Sequence, residues 1–357
     1  MNIYVLNTSF EVAGLIDDYT SVIWTTRYFT AGDFELYLPA SADALMLLRE
    51  HYYLVREQDI TQTAAETRYR NVMIVEKIQI ETDIEDGNHL IITGRSLKSI
   101  LRRRIIWQQT TIGGKAETGI RRLITENAIS PAIEARKIPG LQLAPALGLT
   151  DTIEMQFAGD NLADAVEKLC TSYGYGYDID IVNGAFLCYL YVGADRSYNQ
   201  TANPFVVFSN KFENILKTDY SYDLTNYKNV ALVAGEGEGL ARKTQSVGSA
   251  AGLTRYEVYV DSRNVSTNNG EYTEAEYAEM LKDEGYKAIA GNAVTESFSG
   301  EVETGLTYEL NKDYFLGDVV QVQNEYGIGA APRILEIIES ESGEGISIIP
   351  TFSTWEV

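Results

Sequence analysis

The sequence predicts a mainly β fold of the α+β class, in which two similar β-units flank a smaller module of helices and strands. Tyrosine is abundant, since the 357 residues include 24 Tyr and 29 Gly but only 7 Pro. Tyrosine is typical of half-buried strand surfaces and of subunit contacts. Alternating apolar and polar residues occur toward both ends of the chain, and helical spacing appears in its middle. A hairpin pattern near the start of the chain recurs near its end.

Residues 1–107 are predicted to form the first β-unit. β-Branched and aromatic residues dominate 21–28, and apolar and polar residues alternate in 34–38, as is typical of strands. A hairpin is predicted with strands at 72–81 and 90–94, joined by an acidic turn that contains glycine. Strands this close together in sequence predict a compact β-unit.

Residues 108–205 are predicted to form an α+β module. Five apolar residues at helical spacing predict a helix with Asp160 as its N-cap and Gly174 as its end. Two strands are predicted to follow, at 175–181 and 185–191, with an Asn-Gly turn between them. Glycine-containing and proline-containing segments at the edges of the module indicate linkers to the two β-units.

Residues 206–357 are predicted to form the second β-unit, with a helical insertion around 273–290. The insertion begins at a capping box, because Thr273 and Glu276 have the spacing at which each side chain bonds the backbone of the other. The segment 334–349 repeats the order of the N-terminal hairpin: an apolar strand, a glycine-containing turn and a second apolar strand. Two unrelated amphipathic hairpins would also look alike, so chance similarity stays open as the alternative.

The charge of the chain argues against several kinds of partner. Lys and Arg number 29 while Asp and Glu number 51, which gives a net charge of −22. A nucleic-acid footprint needs clustered cations, and an anionic membrane surface attracts basic segments, so neither partner is expected. No apolar run reaches the length of a membrane-spanning helix, and the first residues show no secretory signal. We therefore expect a protein without a membrane anchor.

Histidine and cysteine are too scarce for a metal centre. The two His are His51 and His89, and the two Cys are Cys170 and Cys188, with no spacing typical of zinc ligands. Both Cys lie in apolar patterns and are predicted to be buried. No nucleophile motif accompanies either His, and carboxylates are so numerous that a pair of them carries no signal. We expect no metal, no cofactor and no enzymatic activity.

One segment has part of the pattern of a nucleotide-binding turn. A predicted strand runs into Gly235 and Gly237, as in a dinucleotide fingerprint. The third glycine of that motif is replaced by Leu240, and Glu236 and Glu238 would repel a pyrophosphate. A flexible acidic loop is therefore favoured over a nucleotide site.

One basic cluster stands out in this acidic chain. Arg102, Arg103 and Arg104 are consecutive and closely follow Arg95 and Lys98. The cluster could hold a phosphate, but in a chain with a net charge of −22 the favoured interpretation is pairing with carboxylates within or between subunits.

Four blocks of sequence resemble a siphovirus tail protein family found in phages and prophages of Gram-positive bacteria. They lie within 21–39, 94–106, 207–215 and 313–320, so the resemblance covers nearly the whole chain. The motif residues, for which structural or interface roles are expected, are Trp24, Arg27, Tyr28, Gly32, Phe34, Pro39, Gly94, Arg95, Ser96, Asp313, Tyr314, Gly317 and Asp318. For the aromatic and glycine positions, core and turn roles are favoured over interface roles.

This family is similar to the baseplate hub of contractile-tailed phages and to the N-terminal hub region of siphophage tail-associated proteins. The resemblance implies a homotrimer at the distal end of the tail tube. Each subunit would supply two tube-like β-barrels, from 1–107 and 206–357, so that six barrels adapt a sixfold tube to a threefold tip. The expected partners are further copies of the chain, the tail tube or distal tail protein, the tape measure protein and tip or fibre proteins, with DNA only as passing cargo.

The resemblance also implies that the protein is part of the virion tail and is made in the cytoplasm of the host bacterium. Its acidity suggests the hypothesis that carboxylates line a central channel and keep passing DNA from adhering; the alternative is solubility before assembly. The chain stops soon after its last predicted strand, so a lytic or receptor-binding activity is expected in a separate protein. Two other functions stay open: a distal tail or receptor-binding module that recognises wall polysaccharide, and a tail-associated wall hydrolase.

Overall fold

The computed structural model describes residues 1–84, 87–267, 270, 272–302, 307–327 and 329–353. Strands account for 41% of the chain and helices for 22%, so the mainly β prediction is confirmed. The chain forms two compact units, one made of Met1–Asp219 with Phe298–Val357 and the other of Tyr220–Ser297. The three-part division with boundaries after 107 and 205 stays a prediction.

The N-terminal third of the chain is built of strands joined by short connections. Its strands are β1 (Ile3–Leu6), β2 (Val12–Ile16), β3 (Ser21–Arg27), β4 (Asp33–Pro39), β5 (Tyr53–Arg56), β6 (Ile60–Gln62), β7 (Thr67–Tyr69), β8 (Met73–Asp83) and β9 (Gly87–Ser96). The short helix α1 (Ala42–Leu47) begins at Ser41, whose hydroxyl accepts a hydrogen bond from the Ala44 amide at 3.0 Å. The predicted hairpin is confirmed, because β8 and β9 pair antiparallel along their whole length.

The middle of the chain combines helices with short strands. Its elements are β10 (Thr110–Lys115), α2 (Ala116–Ile124), β11 (Leu141–Leu143), β12 (Thr152–Phe157), α3 (Leu162–Tyr173), β13 (Gly176–Val182) and β14 (Ala185–Tyr191). The predicted helix α3 is confirmed and ends at Gly174, which adopts the left-handed conformation with φ 69°. The predicted N-cap is wrong, since the side chain of Asn161 accepts the cap bond from the Ala163 amide. The Asp160 carboxylate accepts instead from the Ala158 amide.

The strands of this middle segment belong mainly to a five-stranded sheet with the order β11-β14-β13-β7-β6. The predicted Asn-Gly turn is confirmed, because Asn183 and Gly184 connect β13 to β14 with φ values of 49° and 78°. Strands β7 and β13 pair antiparallel, so a strand from the N-terminal third completes the sheet of the middle segment.

The C-terminal part of the chain returns to strands around one long helix. Its elements are β15 (Val207–Ser209), β16 (Ile215–Asp223), β17 (Val230–Ala234), β18 (Thr244–Val247), β19 (Glu257–Asp261), α4 (Glu274–Ala290), β20 (Thr295–Val302), β21 (Gln321–Gln323), β22 (Gly329–Ala330), β23 (Arg333–Ser342) and β24 (Gly345–Ser353). The predicted capping box of α4 is confirmed: the Glu276 amide donates to Thr273 Oγ1 at 3.3 Å, and the Thr273 amide donates to Glu276 Oε2 at 2.7 Å.

The larger unit contains a sheet with the strand order β16-β20-β24-β23-β3-β4-β9-β8-β5-β1-β2. The two hairpins of the predicted repeat, β8–β9 and β23–β24, lie on either side of the β3–β4 hairpin. Both are antiparallel, and each has a bulge close to its start, at Glu76 and at Leu335. No closed barrel is seen among the described strands, so the arrangement of two barrels stays a prediction.

The central strands of this sheet are buried on one face and open on the other. The buried face carries Val22, Trp24, Phe34, Leu36 and Ile92, each at most 3% exposed. The opposite face, which we call the open face, shows a row of partly or fully exposed residues in register across five strands. That row consists of Ser340, Ile23, Glu35, Thr93 and Lys77.

The smaller unit is a three-stranded sheet covered by α4. Strand β17 is central and pairs antiparallel with β18 and parallel with β19. Tyr277 and Leu281 of α4 pack on Val233 and Val247 of the sheet. A Cβ on Gly285 would lie 2.5 Å from a methyl carbon of Val247, so glycine allows the helix to approach the sheet closely.

Candidate assembly site

Of the His and Cys residues singled out in the sequence, His89 lies in β9, Cys170 in α3 and Cys188 in β14. Within the described ranges, no cluster of three or more His, Cys, Asp or Glu is placed to hold a metal ion. Cys170 and Cys188 are free and buried, as predicted, and burial raises the pKa of the Cys188 thiol to about 12. His89 stacks on Tyr37 with the ring centroids 4.8 Å apart.

In the part of the chain that the structure describes, no helix is both long and apolar enough to span a membrane.

Tyr28, directly after β3, is the centre of a buried junction that we call the Tyr28 junction. Its hydroxyl donates to the Gly174 carbonyl oxygen at 3.0 Å and accepts from the Gly193 amide at 3.2 Å. A Cβ on Gly176 would lie 2.3 Å from Tyr28 Cε2, and a Cβ on Gly317 would lie 2.2 Å from the same atom. Glycine at these positions therefore lets three segments of the larger unit close around one aromatic ring.

Asp318 fixes one side of the Tyr28 junction. Its carboxylate is buried, and Oδ1 accepts from the Ala194 amide at 2.8 Å. Its Oδ2 accepts from Arg196 Nε at 2.6 Å and from the Phe315 amide at 3.1 Å. Since a buried carboxylate is costly unless it is paired and hydrogen-bonded, these bonds explain why an Asp is tolerated here. They join the segment after β14 to the segment before β21.

Two arginine motif residues, Arg27 of β3 and Arg95 of β9, form ion pairs with glutamates of neighbouring strands in the large sheet. Arg27 Nε lies 2.5 Å from the Glu336 carboxylate of β23, and its Nη1 also pairs with Asp33. Arg95 donates two bonds to the Glu76 carboxylate of β8, at 2.7 and 2.9 Å. Glu76 is the bulge residue of β8, whereas Glu336 directly follows the bulge residue of β23. One Glu–Arg pair therefore joins β23 to β3, and the other joins the two strands of the β8–β9 hairpin to each other.

Gly32, Gly94 and Ser96 make the close approach of the central strands possible. The Gly32 amide donates to Ser96 Oγ at 3.0 Å, and the Ser96 amide donates to the Gly32 carbonyl oxygen at 2.9 Å. A Cβ on Gly94 would lie 1.8 Å from the Ile74 carbonyl oxygen, and one on Gly32 would lie 2.0 Å from that of Thr25. Glycine at positions 32 and 94 therefore allows these strands to approach closely, and the core and turn roles expected for the motif stay a prediction.

A buried ionic cluster beside the motif residue Trp24 was not anticipated from the sequence. Trp24 packs on Phe34 with centroids 5.8 Å apart, and the guanidinium of the fully buried Arg56 lies 5.1 Å from the Trp24 ring centre. Arg56 pairs with both Asp59 and Glu339 at 2.5 Å. Asp59 follows Arg56 by only three residues, but Glu339 is 283 residues away. Only the Arg56–Asp59 pair could therefore have been noticed from spacing in the sequence.

The remaining motif residues lie in other parts of the larger unit. The Tyr314 ring packs edge-on against Phe208 with centroids 5.3 Å apart. The Asp313 carboxylate accepts from the Glu309 amide at 2.8 Å. Pro39 ends β4, at the opposite end of that strand from Asp33. The motif thus maps onto several local structures and does not converge on one cleft.

A second group of ionisable residues is buried near the Tyr28 junction. Lys98 Nζ donates to the Tyr28 carbonyl oxygen at 3.3 Å and lies 5.0 Å from the Tyr177 ring centre. Burial lowers the pKa of the Lys98 ammonium. Asp180 pairs with Arg68 at 2.7 Å, and burial raises the pKa of the Asp180 carboxyl to about 7. These groups are held by backbone and ion-pair contacts that stabilise the fold.

The turn that suggested a nucleotide site is filled by the protein itself. A Cβ on Gly235 would lie 2.1 Å from the Tyr277 hydroxyl oxygen, and the Glu236 amide donates to that hydroxyl at 2.8 Å. Arg242 Nε donates to the Gly235 carbonyl oxygen at 2.9 Å. Since a phosphate site needs free amides at this turn, the geometry favours the acidic loop.

These features define a β-rich protein in which the motif residues join strands and chain segments of the larger unit. A family model described as Siphovirus ReqiPepy6 Gp37-like protein matches residues 2–352, and the chain belongs to this family. The predicted membership of a siphovirus family is therefore confirmed. No curated protein sequence matches the chain at a significant level.

The fold is similar to that of solved tail proteins, two of which come from prophages. One is the tail protein from Neisseria meningitidis MC58, with 14% identity and a TM-score of 0.57 over 98% of this chain and 95% of that one. Another is the 43 kDa tail protein of prophage MuSo2 from Shewanella oneidensis, with 12% identity and a TM-score of 0.60 over 99% and 98%. A third is prophage tail protein gp18 from Listeria monocytogenes EGD-e, with 12% identity and a TM-score of 0.54 over 98% and 94%. Because the sequence identities are 14% or lower, these similarities show a shared fold only.

Proposed function

We propose that the protein is a structural component of a phage tail tip, a hub that closes or extends the tail tube around a channel for DNA or the tape measure protein. The observation that carries this proposal is the placement of the two repeat hairpins, one on each side of β3–β4 in a single sheet. A chain with two similar β-units lets a trimer present six such units to a sixfold tube. The fold of prophage tail proteins supports the same role.

In this proposal the chain assembles as a homotrimer. The regions 1–107 and 206–357 supply the two tube-like β-barrels, and the α+β module 108–205 lies between them in sequence. The neighbours are the tail tube or distal tail protein on one side, tip or fibre proteins on the other and the tape measure protein inside. The role is non-catalytic, because the motif residues are held in packing and ion-pair contacts.

The open face of the large sheet is the surface that we propose lines the channel. It has no covering layer over its central row, whose members are partly or fully exposed. The row contains one carboxylate, Glu35, at its centre between Ile23 and Thr93, and one ammonium group, Lys77, at its end beside Thr93. A carboxylate in this position would repel a passing polyanion and hinder its adhesion.

The position of the protein in the particle tests the hub proposal. A short biotin-acceptor peptide inserted at the 3₁₀ turn that contains Leu253, a residue 99% exposed, gives a label for gold in electron micrographs. We expect gold at the distal tip of each tail. Gold along the tube, at the capsid junction or absent from purified particles would refute the hub.

Reversing one charge tests the channel surface separately. Glu35→Lys places an ammonium in the middle of the open face, and we expect slower DNA ejection in a fluorescence release assay. Glu50→Lys makes the same charge change at an exposed position outside the sheet and serves as the matched control. Ejection at an equal rate in both variants would count against the open face as the channel wall.

A further inference from the structure

A basic surface lies where the first strands of the larger unit pass into the α+β module. The 3₁₀ helix Leu97–Arg103 ends there, and the turn Glu134–Arg136 packs beside it. Three arginines and three apolar residues form the surface, which we call the basic patch: Arg103, Arg104, Arg136, Ile105, Trp107 and Ile133. The apolar members are 41%, 57% and 45% exposed for Ile105, Trp107 and Ile133.

Backbone carbonyl oxygens hold the basic patch together. Arg104 donates to the carbonyl oxygens of Arg136, Arg103 and Lys137. Arg136 donates in return to the Ile105 carbonyl oxygen, and its guanidinium lies 5.0 Å from the Trp107 ring centre. All of these acceptors are neutral, so the bonds orient the guanidinium groups without neutralising their charge.

The three guanidinium groups of the patch have no carboxylate partner among the residues that the structure describes. The adjacent Arg102 differs, because it pairs with Asp164 at 2.6 Å and with Glu167 at 2.7 Å. For Arg102, pairing with carboxylates is the interpretation that the sequence analysis favoured for the whole basic cluster. The nearby carboxylate of Glu134 lies 3.6 Å from Lys137 and is largely exposed. Burial, together with the charges of Arg136 and Arg103, lowers the pKa of Arg104.

Unneutralised cations are unexpected in a chain where carboxylates outnumber them, 51 to 29. Arginine and tryptophan are the residues most enriched where binding energy is concentrated in protein–protein interfaces. A guanidinium cluster binds carboxylates through paired hydrogen bonds, and the exposed apolar side chains need an apolar partner as well. A polypeptide surface with carboxylates satisfies both requirements, whereas inorganic polyphosphate satisfies only the first.

We propose that the basic patch is a contact surface for a second copy of this chain, which presents carboxylates to Arg103, Arg104 and Arg136. Charge complementarity supports this occupant, since each copy has a net charge of −22 and its excess carboxylates need a cationic contact when copies meet. The inference deepens the proposed function, because it names the surface through which copies of the hub would join.

Sedimentation velocity of the purified full chain tests the patch by charge reversal. R103E/R136E should weaken self-association at least tenfold in dissociation constant relative to the wild type. The matched control R49E/K168E changes the net charge equally, from −22 to −26, at two exposed positions outside the patch, and should associate like the wild type. Arg136 also bonds the Ile105 carbonyl, so R103E alone serves if the double variant fails to fold, with R49E as its control at the same net charge of −24.

Zero-length crosslinking identifies what the patch contacts. R103K places a primary amine at the exposed position, and carbodiimide then joins it to any carboxylate in contact. In an equal mixture of ¹⁴N-labelled and ¹⁵N-labelled R103K, we expect crosslinked peptides of mixed isotope from position 103 to Asp or Glu. Crosslinks of single isotope only, or none, would overturn the proposal.

The outcomes separate this proposal from the hub. A wild type that stays monomeric, or an R103E chain that associates as tightly as the wild type, overturns the patch as a self-contact and leaves the gold-label result untouched. Polyphosphate binding that is lost in R103E, with self-association unchanged, would assign the patch to an anionic polymer and also overturn the proposal. Patch-dependent self-association with gold away from the tail tip would support the patch and refute the hub.

Discussion

Replacing Gly317 by alanine should destabilise the larger unit by closing the space that the Tyr28 ring occupies. The backbone φ of Gly317 is 94°, a conformation that alanine adopts at a cost of about 1–2 kcal/mol. The added Cβ would lie 2.2 Å from Tyr28 Cε2, and overpacking of this kind costs about 1–3 kcal/mol. The Gly317 amide also bonds the Ile334 carbonyl at 2.9 Å, so the backbone cannot move freely to relieve the overlap. We therefore expect a loss of about 2–5 kcal/mol in the free energy of unfolding.

Urea unfolding followed by tyrosine and tryptophan fluorescence measures this loss. Gly114→Ala is the matched control, because its φ is 92° and a Cβ there meets no atom within 4 Å, so it should cost only the backbone term of about 1–2 kcal/mol. Combining Gly317→Ala with Tyr28→Leu removes the ring edge that the new Cβ would strike. The double variant should therefore lose less stability than the sum of the two single changes. A Gly317→Ala protein as stable as the Gly114→Ala control would refute the close-packing argument.

Three further predictions rest on buried charges. Burial raises the pKa of Asp180 in the folded chain to about 7 from an ordinary 3.8, so between these pH values the folded chain holds a proton that the unfolded chain has released. The free energy of unfolding should therefore fall as the pH rises from about 4 to 7. Asp180→Asn should flatten this pH dependence in urea titrations. Glu117→Gln removes a carboxylate that accepts three backbone amides of 147–149, so those amides should exchange faster with deuterium. Arg56→Met leaves the Glu339 carboxylate buried and unpaired, and should cost about 3–5 kcal/mol in the same unfolding assay.

The features that the sequence predicted correctly are those determined by neighbouring residues. The capping box at Thr273, the turn at Asn183 and the left-handed end of α3 at Gly174 each depend on a few consecutive residues. The predicted N-cap of α3, Asp160, was wrong by one residue, because the cap is Asn161. Asn161 gains a second bond, because its Nδ2 donates to the Arg102 carbonyl oxygen 59 residues away, and that distant contact is invisible in a local pattern.

The candidate site was predictable only as a set of motif residues, and its geometry was not. The Tyr28 junction joins residues separated by more than 280 positions, since Tyr28 must meet Gly317. From its neighbours in sequence, Arg56 is predicted only as the polar last residue of a strand, and the fold is what brings Glu339 next to it. Sheet order depends on which hairpins pair across the chain, so the placement of β23 beside β3 could not be derived from either segment alone.

The net charge of the chain constrains how copies of it can join. Three copies at −22 each would carry −66, and at about 10 mM salt, where the Debye length is about 30 Å, they would repel one another as whole bodies. At about 100 mM salt the Debye length falls to about 10 Å, so this repulsion is damped while close contacts between Arg and carboxylate groups are screened less. Association through the basic patch would therefore strengthen from very low to moderate salt and weaken at high salt. An association driven by apolar contacts alone would strengthen throughout, because salt would only remove repulsion. The three unneutralised arginines thus give an acidic chain one short-range attraction with which to overcome its own long-range repulsion.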